Sequence, residues 1–522
     1  MRRARSAGRT GRIGALGLAL VVVLTACGGA GGSNAGGTAA GTPREGGTLR
    51  VAYGYNPSSL DPYTGNSGAD HVVLYPLYDT LVDYTSGDLK PEPGLAESWE
   101  QPDPKTLVLH LRQGVTFHDG TPFDAPAVKF NIERGKAAGS NVKADLASID
   151  TVEVVDEHEA TLHLNRPDAS LLLVLADRPG MMVSPTAYQA SGADFARNPV
   201  GTGPMKFVSW ESGAKVTMAR YDGYWDKKKI HLDGLEFSII PEADTALNAL
   251  RSGQQDVTLQ VQPQAVATLK NDSTLHVDVS PTVLHDIFYL DMSVAPFNNP
   301  DVRRAFNLAI DREALLKASY FGLGEVARQP LPSDHWAHST ELDHSYTRDV
   351  HQAKALLAKA GYADGLTVST LLYPTTADVR RGEILKSQLA EAGITLELVP
   401  TELTQAVQEF FNQRKYPMFL SSWTGRPDPA TTFTLLFSET GYYNAGHAAA
   451  PTVDAAVAEA NSLSKTDERQ KPLAEAAKLV NDQALYVPLV FRPFIVAWST
   501  KVGGYEPNLL GKPKIATMWL SK

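Results

Sequence analysis

A single cysteine, Cys27, stands among 522 residues. No intrachain disulfide can staple such a chain, so its fold must rest on packing. Long apolar runs are nearly absent too: apart from residues 13–24, no stretch approaches the length needed to cross a bilayer. Positive charge is in deficit, with 48 Lys and Arg against 58 Asp and Glu and a formal net charge of −10. That balance argues against nucleic acid or anionic lipid as the main partner. Catalytic signatures are missing as well, with no G-x-S-x-G elbow, no P-loop and no complete G-x-G-x-x-G. His158 and His163 have one residue too many between them for a zinc helix, and on a strand positions five apart face opposite sides. His118-Asp119-Gly120 reads as a turn before Thr121-Pro122 rather than a metal pair. No catalytic residue, metal or cofactor is expected.

What is present starts with an address. Arg2, Arg3, Arg5, Arg9 and Arg12 precede the apolar run at 13–24, and Leu24-Thr25-Ala26-Cys27 closes it. This is the layout of a secretory signal. The tetrapeptide resembles a lipobox, so residues 1–26 are expected to be a lipoprotein signal peptide and Cys27 the lipidation site. Residues 27–45, rich in Gly, Ala and Ser, are expected to form a flexible tether to an extracytoplasmic body anchored to the cell membrane.

The rest is too long for one core and suggests two or three lobes. Residues 48–53, 106–112, 159–164 and 234–240 alternate apolar and polar positions and predict strands. Asp301, after Pro300, is the expected cap of a helix whose face carries Val302, Ala305, Phe306, Ala309 and Ile310. Asp349 caps another, which Gly361 ends. Residues 366–402 then read strand, helix, strand, a βαβ unit with parallel strands. A further helix at 403–415 and a strand at 416–423 complete an α/β segment over about 300–440. The loop SSWTGRPDPATTF, residues 421–433, follows that last strand at its carboxyl end. In open α/β sheets that edge is where ligands bind.

KTLVLHLRQGVTFHDGTPFDAPAVKFNIER (105–134) closely resembles the signature segment of family 5 solute-binding proteins of ABC importers, the dipeptide, oligopeptide and nickel-binding group. GGTLRVAYGYNPSSLDPY (46–63), NPVGTGPMKFVSW (198–210) and FNNPDVRRAFNLAIDREALL (297–316) match in order and spacing. Local departures stand at Ala125 to Val128 and at Asn298-Asn299. The resemblance implies an α/β fold of the two-lobed periplasmic-binding-protein type II, cluster C, with an extra inserted subdomain. Lobe I would comprise 46–77, 198–283 and 491–522, the inserted subdomain 78–197 and lobe II 284–490. Crossings near Val283-Leu284 and Phe491-Arg492-Pro493 would join the lobes. It also implies a monomeric carrier, not an enzyme, that closes around a solute and delivers it to a membrane permease driven by a separate ATPase. The expected cargo is a peptide or peptide-sized polar, acidic solute. Opine-like acids, oligosaccharides and metal chelates are the alternatives, and an enzyme or sensor on the same scaffold is a more distant one.

In peptide-binding members the loop equivalent to 421–433 carries an aspartate for the peptide ammonium. Here Trp423, Thr424 and Gly425 match, but Arg426 takes the aspartate's position. A guanidinium suits a carboxylate or another anion, not an ammonium. Two readings stay open: Arg426 meets the ligand, or it pairs with Asp428 or a neighbouring acid and shapes the loop. Asp428 is itself a candidate ammonium acceptor. Trp423 is expected as a stacking wall. By the same resemblance Tyr55, Asn56 and Ser58 face the cleft, or else form a turn around Pro57; His285 and Asp286, at the entry to the second lobe, are ligand contacts or core residues at a strand edge; Tyr442, Tyr443 and Asn444 fall in another cleft loop, as contacts or as surface packing. Gly201, Gly203 and Pro204 read as turn residues.

Overall fold

A computed structural model describes residues 42–65 and 68–521. The expected signal peptide, the lipidation site Cys27 and the tether up to residue 41 lie outside the described residues. Alternation produces strands where the pattern predicts them. In Thr106–Leu111, Leu107, Leu109 and Leu111 are buried while Thr106, Val108 and His110 are half-exposed. Truncating one of these leucines to alanine would cost about 2–5 kcal/mol through lost transfer energy and the cavity left behind. This strand lies in an antiparallel four-stranded sheet with Ala96–Asp103, Glu159–Leu164 and Ile149–Val154. The helix Ala125–Lys136 packs on that sheet, its first turn capped by Asp124, which accepts from the Ala127 amide.

A seven-stranded sheet draws on distant parts of the chain, in the order Leu275–Ser280, Phe494–Ser499, Val257–Thr258, Thr48–Tyr53, Gly234–Ile239, Lys215–Arg220, Met205–Glu211. A six-stranded sheet runs Glu325–Val326, Val487–Phe491, His285–Leu290, Met418–Trp423, Leu366–Leu372, Ile394–Pro400. Within it Leu366–Leu372 pairs in parallel with both Ile394–Pro400 and Met418–Trp423, and the helix Thr376–Glu391 makes the crossover. Helices cover this sheet, and the central strand His285–Leu290 shows no alternation because all six of its residues are buried. The largest apolar cluster surrounds this sheet.

Asp301 is not the cap of Pro300–Ala309. Asn299 is, its side chain accepting from the Asp301 amide at 2.9 Å, with Pro300 at the first helical position. Asp349 does cap Val350–Lys359, accepting from the Gln352 amide at 2.8 Å, and Gly361 takes φ +94° beyond its end. At Gly201 and Gly203 an added Cβ would strike the backbone of Leu77, so close chain approach accounts for both.

The seven- and six-stranded sheets are joined twice, by residues 281–284 and 492–493. These crossings lie side by side. The Arg492 amide donates to the Leu284 carbonyl at 2.7 Å, and the Thr282 hydroxyl donates to the Arg492 carbonyl at 2.6 Å. No helix among the described residues is long and apolar enough to cross a membrane.

Candidate ligand-binding site

Strand Met418–Trp423 delivers the loop to the carboxyl edge of the six-stranded sheet. Gly425 turns it at φ +72°, with Val283 of the first crossing so close that an added Cβ would stand 2.1 Å from Val283 Cγ2. Asp428 then caps the helix Pro429–Phe437, accepting from the Ala430 amide at 2.8 Å. Both its oxygens also accept from Arg469, at 2.7 and 2.9 Å, and the residue is 1% exposed. A carboxylate so fully engaged is not available to an ammonium.

Arg426 differs. It does not pair with Asp428, and it makes no ion pair with any described residue. Its Nη1 donates to its own loop, to the Gly425 carbonyl at 2.7 Å, and its guanidinium lies 4.9 Å from the centre of the Trp423 ring. The remaining face meets a cavity of about 550 Å³, within the range of small-molecule sites. Thr424, Pro427, Asp428 and Thr431 line the same side, with Tyr442 and Tyr443 from the following loop. Trp423 itself is 1% exposed and does not line the cavity. It stands behind, edge-on to Tyr443 at 5.0 Å, which in turn meets Tyr442 edge-on at 5.1 Å.

The opposite wall comes from parts of the chain that the sequence did not point to: Gly65, Gly68 and His71, then Asn141, Val142 and Asp145, then Leu173 to Pro179 without Leu175 and Ala176, and Lys512. Asp177 Oδ1 meets His71 Nε2 and accepts from the Arg178 amide at 2.9 Å. Burial alone would raise its carboxyl, but His71 and Lys512 hold it well below the usual carboxylate range. Arg178 is tied to Asp70 at 3.0 Å and to the Gly65 carbonyl at 2.7 Å. Lys512 is 7% exposed; burial, with Arg426 and Arg178 nearby, pushes its ammonium down to about 8 despite Asp177. The Asp145 carboxylate has no hydrogen bond or ion pair among the described residues, and burial lifts it to about 6 against the pull of Arg426.

Other expected contacts stand elsewhere. His285 and Asp286 are wholly buried because their strand is central and covered on both faces. Asp286 accepts from Tyr320 at 2.7 Å and from Arg492 at 2.6 Å and pairs with Arg381 at 3.1 Å. Asn444, 2% exposed, donates to the carbonyls of Ser438 and Ala448 and so shapes its loop. Tyr55 is exposed beside Tyr53, Asn56 accepts from Trp210 and Gly213, and Ser58 donates to Asp70. None of these six lines the cavity, nor does Gly425, whose role is the turn. Among the described residues no group of three or more His, Cys, Asp or Glu side chains is placed to hold a metal ion.

Two sheet-centred bodies, joined by paired crossings and flanking a cavity, have the architecture of a type II periplasmic binding protein of cluster C. The ABC transporter-associated periplasmic binding protein DppA from Helicobacter pylori, solved in complex with peptide STSA, is similar with a TM-score of 0.82 at 27% identity, covering 92% of this chain and 99% of that one. AgaA from A. tumefaciens R10, solved in complex with agropinic acid, is similar at 0.80 and 25% identity, covering 91% and 99%. Glutathione-binding protein GsiB of Pectobacterium atrosepticum is 28% identical over 472 residues, 87% of this chain and 90% of the relative. Residues 90–444 match bacterial extracellular solute-binding proteins, family 5 (middle). The chain belongs to that family. It is the extracytoplasmic solute-binding component of an ABC importer, a carrier rather than an enzyme.

Proposed function

We propose that this carrier captures a peptide-sized solute bearing at least one acidic group. Arg426 carries the reading. It occupies the loop position from which, in the peptide-binding pattern, an aspartate takes an ammonium, and here a permanent cation with no carboxylate partner among the described residues faces the cavity. Asp428 cannot restore the missing acid because Arg469 and the helix N-terminus engage it. Tyr442, Tyr443 and Thr424 add apolar area and a hydroxyl beside the cation.

The ligands of similar proteins (glutathione, a peptide and agropinic acid) all bear carboxylates and define the first compounds to try. The lobes comprise 46–77 with 198–283 and 491–522, and 284–490, with 78–197 inserted in the first. The seven-, six- and four-stranded sheets support this division, since each draws its strands almost wholly from one of these sets. Cys27 anchors the mature chain to the membrane through lipid, and a permease with a separate ATPase receives the solute from the monomer.

A thermal-shift screen tests the ligand class, since a compound bound only by the folded state raises the melting temperature. Glutathione, acidic di- and tripeptides and agropinic acid should raise it by several degrees at saturating concentration. Neutral oligosaccharides and peptides with amidated carboxylates should leave it unchanged. A shift given only by carboxylate-free compounds would overturn the reading.

A further inference from the structure

Lys512 is the one cavity-lining ammonium among the described residues, and it makes an ion pair with Asp177 but no hydrogen bond to any of them. Its nearest carboxylate oxygen, Asp177 Oδ2, is 3.7 Å away, too far for a hydrogen bond. A buried ammonium has three donors to place and a large desolvation penalty to offset. Arg426 approaches the same space from the opposite wall, with Nη2 and Nε making no hydrogen bond to any described residue. The two cations repel one another across the cavity, and Arg178 adds to the positive field. Asp177, which meets His71, lines the cavity beside Lys512, and Asp145 lines it as well.

We infer that Lys512 and Arg426 hold one anionic group of the solute between them, one cation from each wall, so that capture also draws a proton onto Lys512. The inference rests on the reading of the chain as a carrier of an acidic solute. A carboxylate set between the two supplies acceptors for both and turns their repulsion into attraction. It also favours the charged form of Lys512, whose ammonium sits near 8 in the empty cavity. Through Lys512, solute binding therefore takes up about half a proton at pH 8 and very little at pH 6.5, where that ammonium is already charged. Affinity falls as pH rises through 8, because the proton must then be drawn from solution.

Calorimetric titration in buffers of different ionisation enthalpy counts these protons on the unmodified protein. The titrant is the tightest binder among glutathione, acidic di- and tripeptides and agropinic acid. Uptake of about half a proton at pH 8 is the expected result. Lys512→Gln should weaken that acid roughly 10-fold or more and abolish the uptake. Lys512→Arg, permanently charged, should keep most of the affinity while also abolishing the uptake. If the glutamine variant does not fold, the wild-type proton count and the arginine variant decide. An acid that binds with no proton uptake and is indifferent to Lys512 overturns the inference and leaves the proposed solute class standing. Failure of every acid to bind removes both.

Discussion

Two clusters of charge lie close to the crossings, one buried and one around the cavity, finished to different degrees. Asp286 is 0% exposed and meets Tyr320, Arg381 and Arg492, one of which belongs to the second crossing. Burial works against its ionised form, yet the two arginines keep its carboxyl below the usual range. Around the cavity, Lys512, Arg426 and Asp145 are each left without a full set of partners among the described residues. A saturated network spends its electrostatics on one conformation. An unsaturated one holds them in reserve for something that arrives later.

Variants that treat the two clusters alike should separate them sharply. Asp286→Asn would take the buried counter-charge from Arg492 and leave Arg381 only Asp378, and should lower stability by about 3–5 kcal/mol. Denaturant unfolding measures this, and a loss under about 1 kcal/mol would erase the contrast. Arg426→Glu should lower affinity for an acidic solute roughly 100-fold or more. It should change the stability of the empty protein by no more than about 0.5 kcal/mol, since that side chain supports little besides its own loop. Unchanged affinity would move Arg426 into the structural class.

Asp145→Asn should have the smallest effect, and its sign depends on pH. The folded protein holds this carboxyl's proton up to about pH 6, whereas the unfolded chain releases it near the ordinary value of about 4. Its ionisation therefore costs stability progressively between about pH 4 and 6, fully above that and not at all below. The asparagine variant should be more stable than the parent at pH 7.5, by under about 1 kcal/mol once solvent in the cavity is allowed for. The two should melt together at pH 4. A variant less stable at pH 7.5 would mean that Asp145 has a partner after all.

How much was legible in the sequence follows the same divide between local and distant. Strands such as Thr48–Tyr53 and Glu159–Leu164 declare themselves by period two, and the βαβ unit by a change of period. Caps were partly legible: Asn299-Pro300 and Asp428-Pro429 both follow the rule of a capping residue before a proline at the first helical position. Read that way, Asp428 is a helix cap before it is anything else. The loop 424–431 was legible through family resemblance, and it does supply one wall of the cavity. His71, Asp145, Asp177 and Lys512 had no local signature, because their proximity is made by tertiary contacts across more than 400 residues. His285 and Asp286 show the converse. Polar residues beginning a strand invite a functional reading, but the strand's central place in a covered sheet buries them.

The contact of Gly425 with Val283 carries a mechanical consequence. A glycine packed this tightly against the crossing leaves the recognition loop no slack. If one body were to swing about the crossings, the loop would have to travel with them rather than trail behind. Arg426 is thus geared to the first crossing, and a side chain as small as alanine at position 425 would act like grit between the teeth.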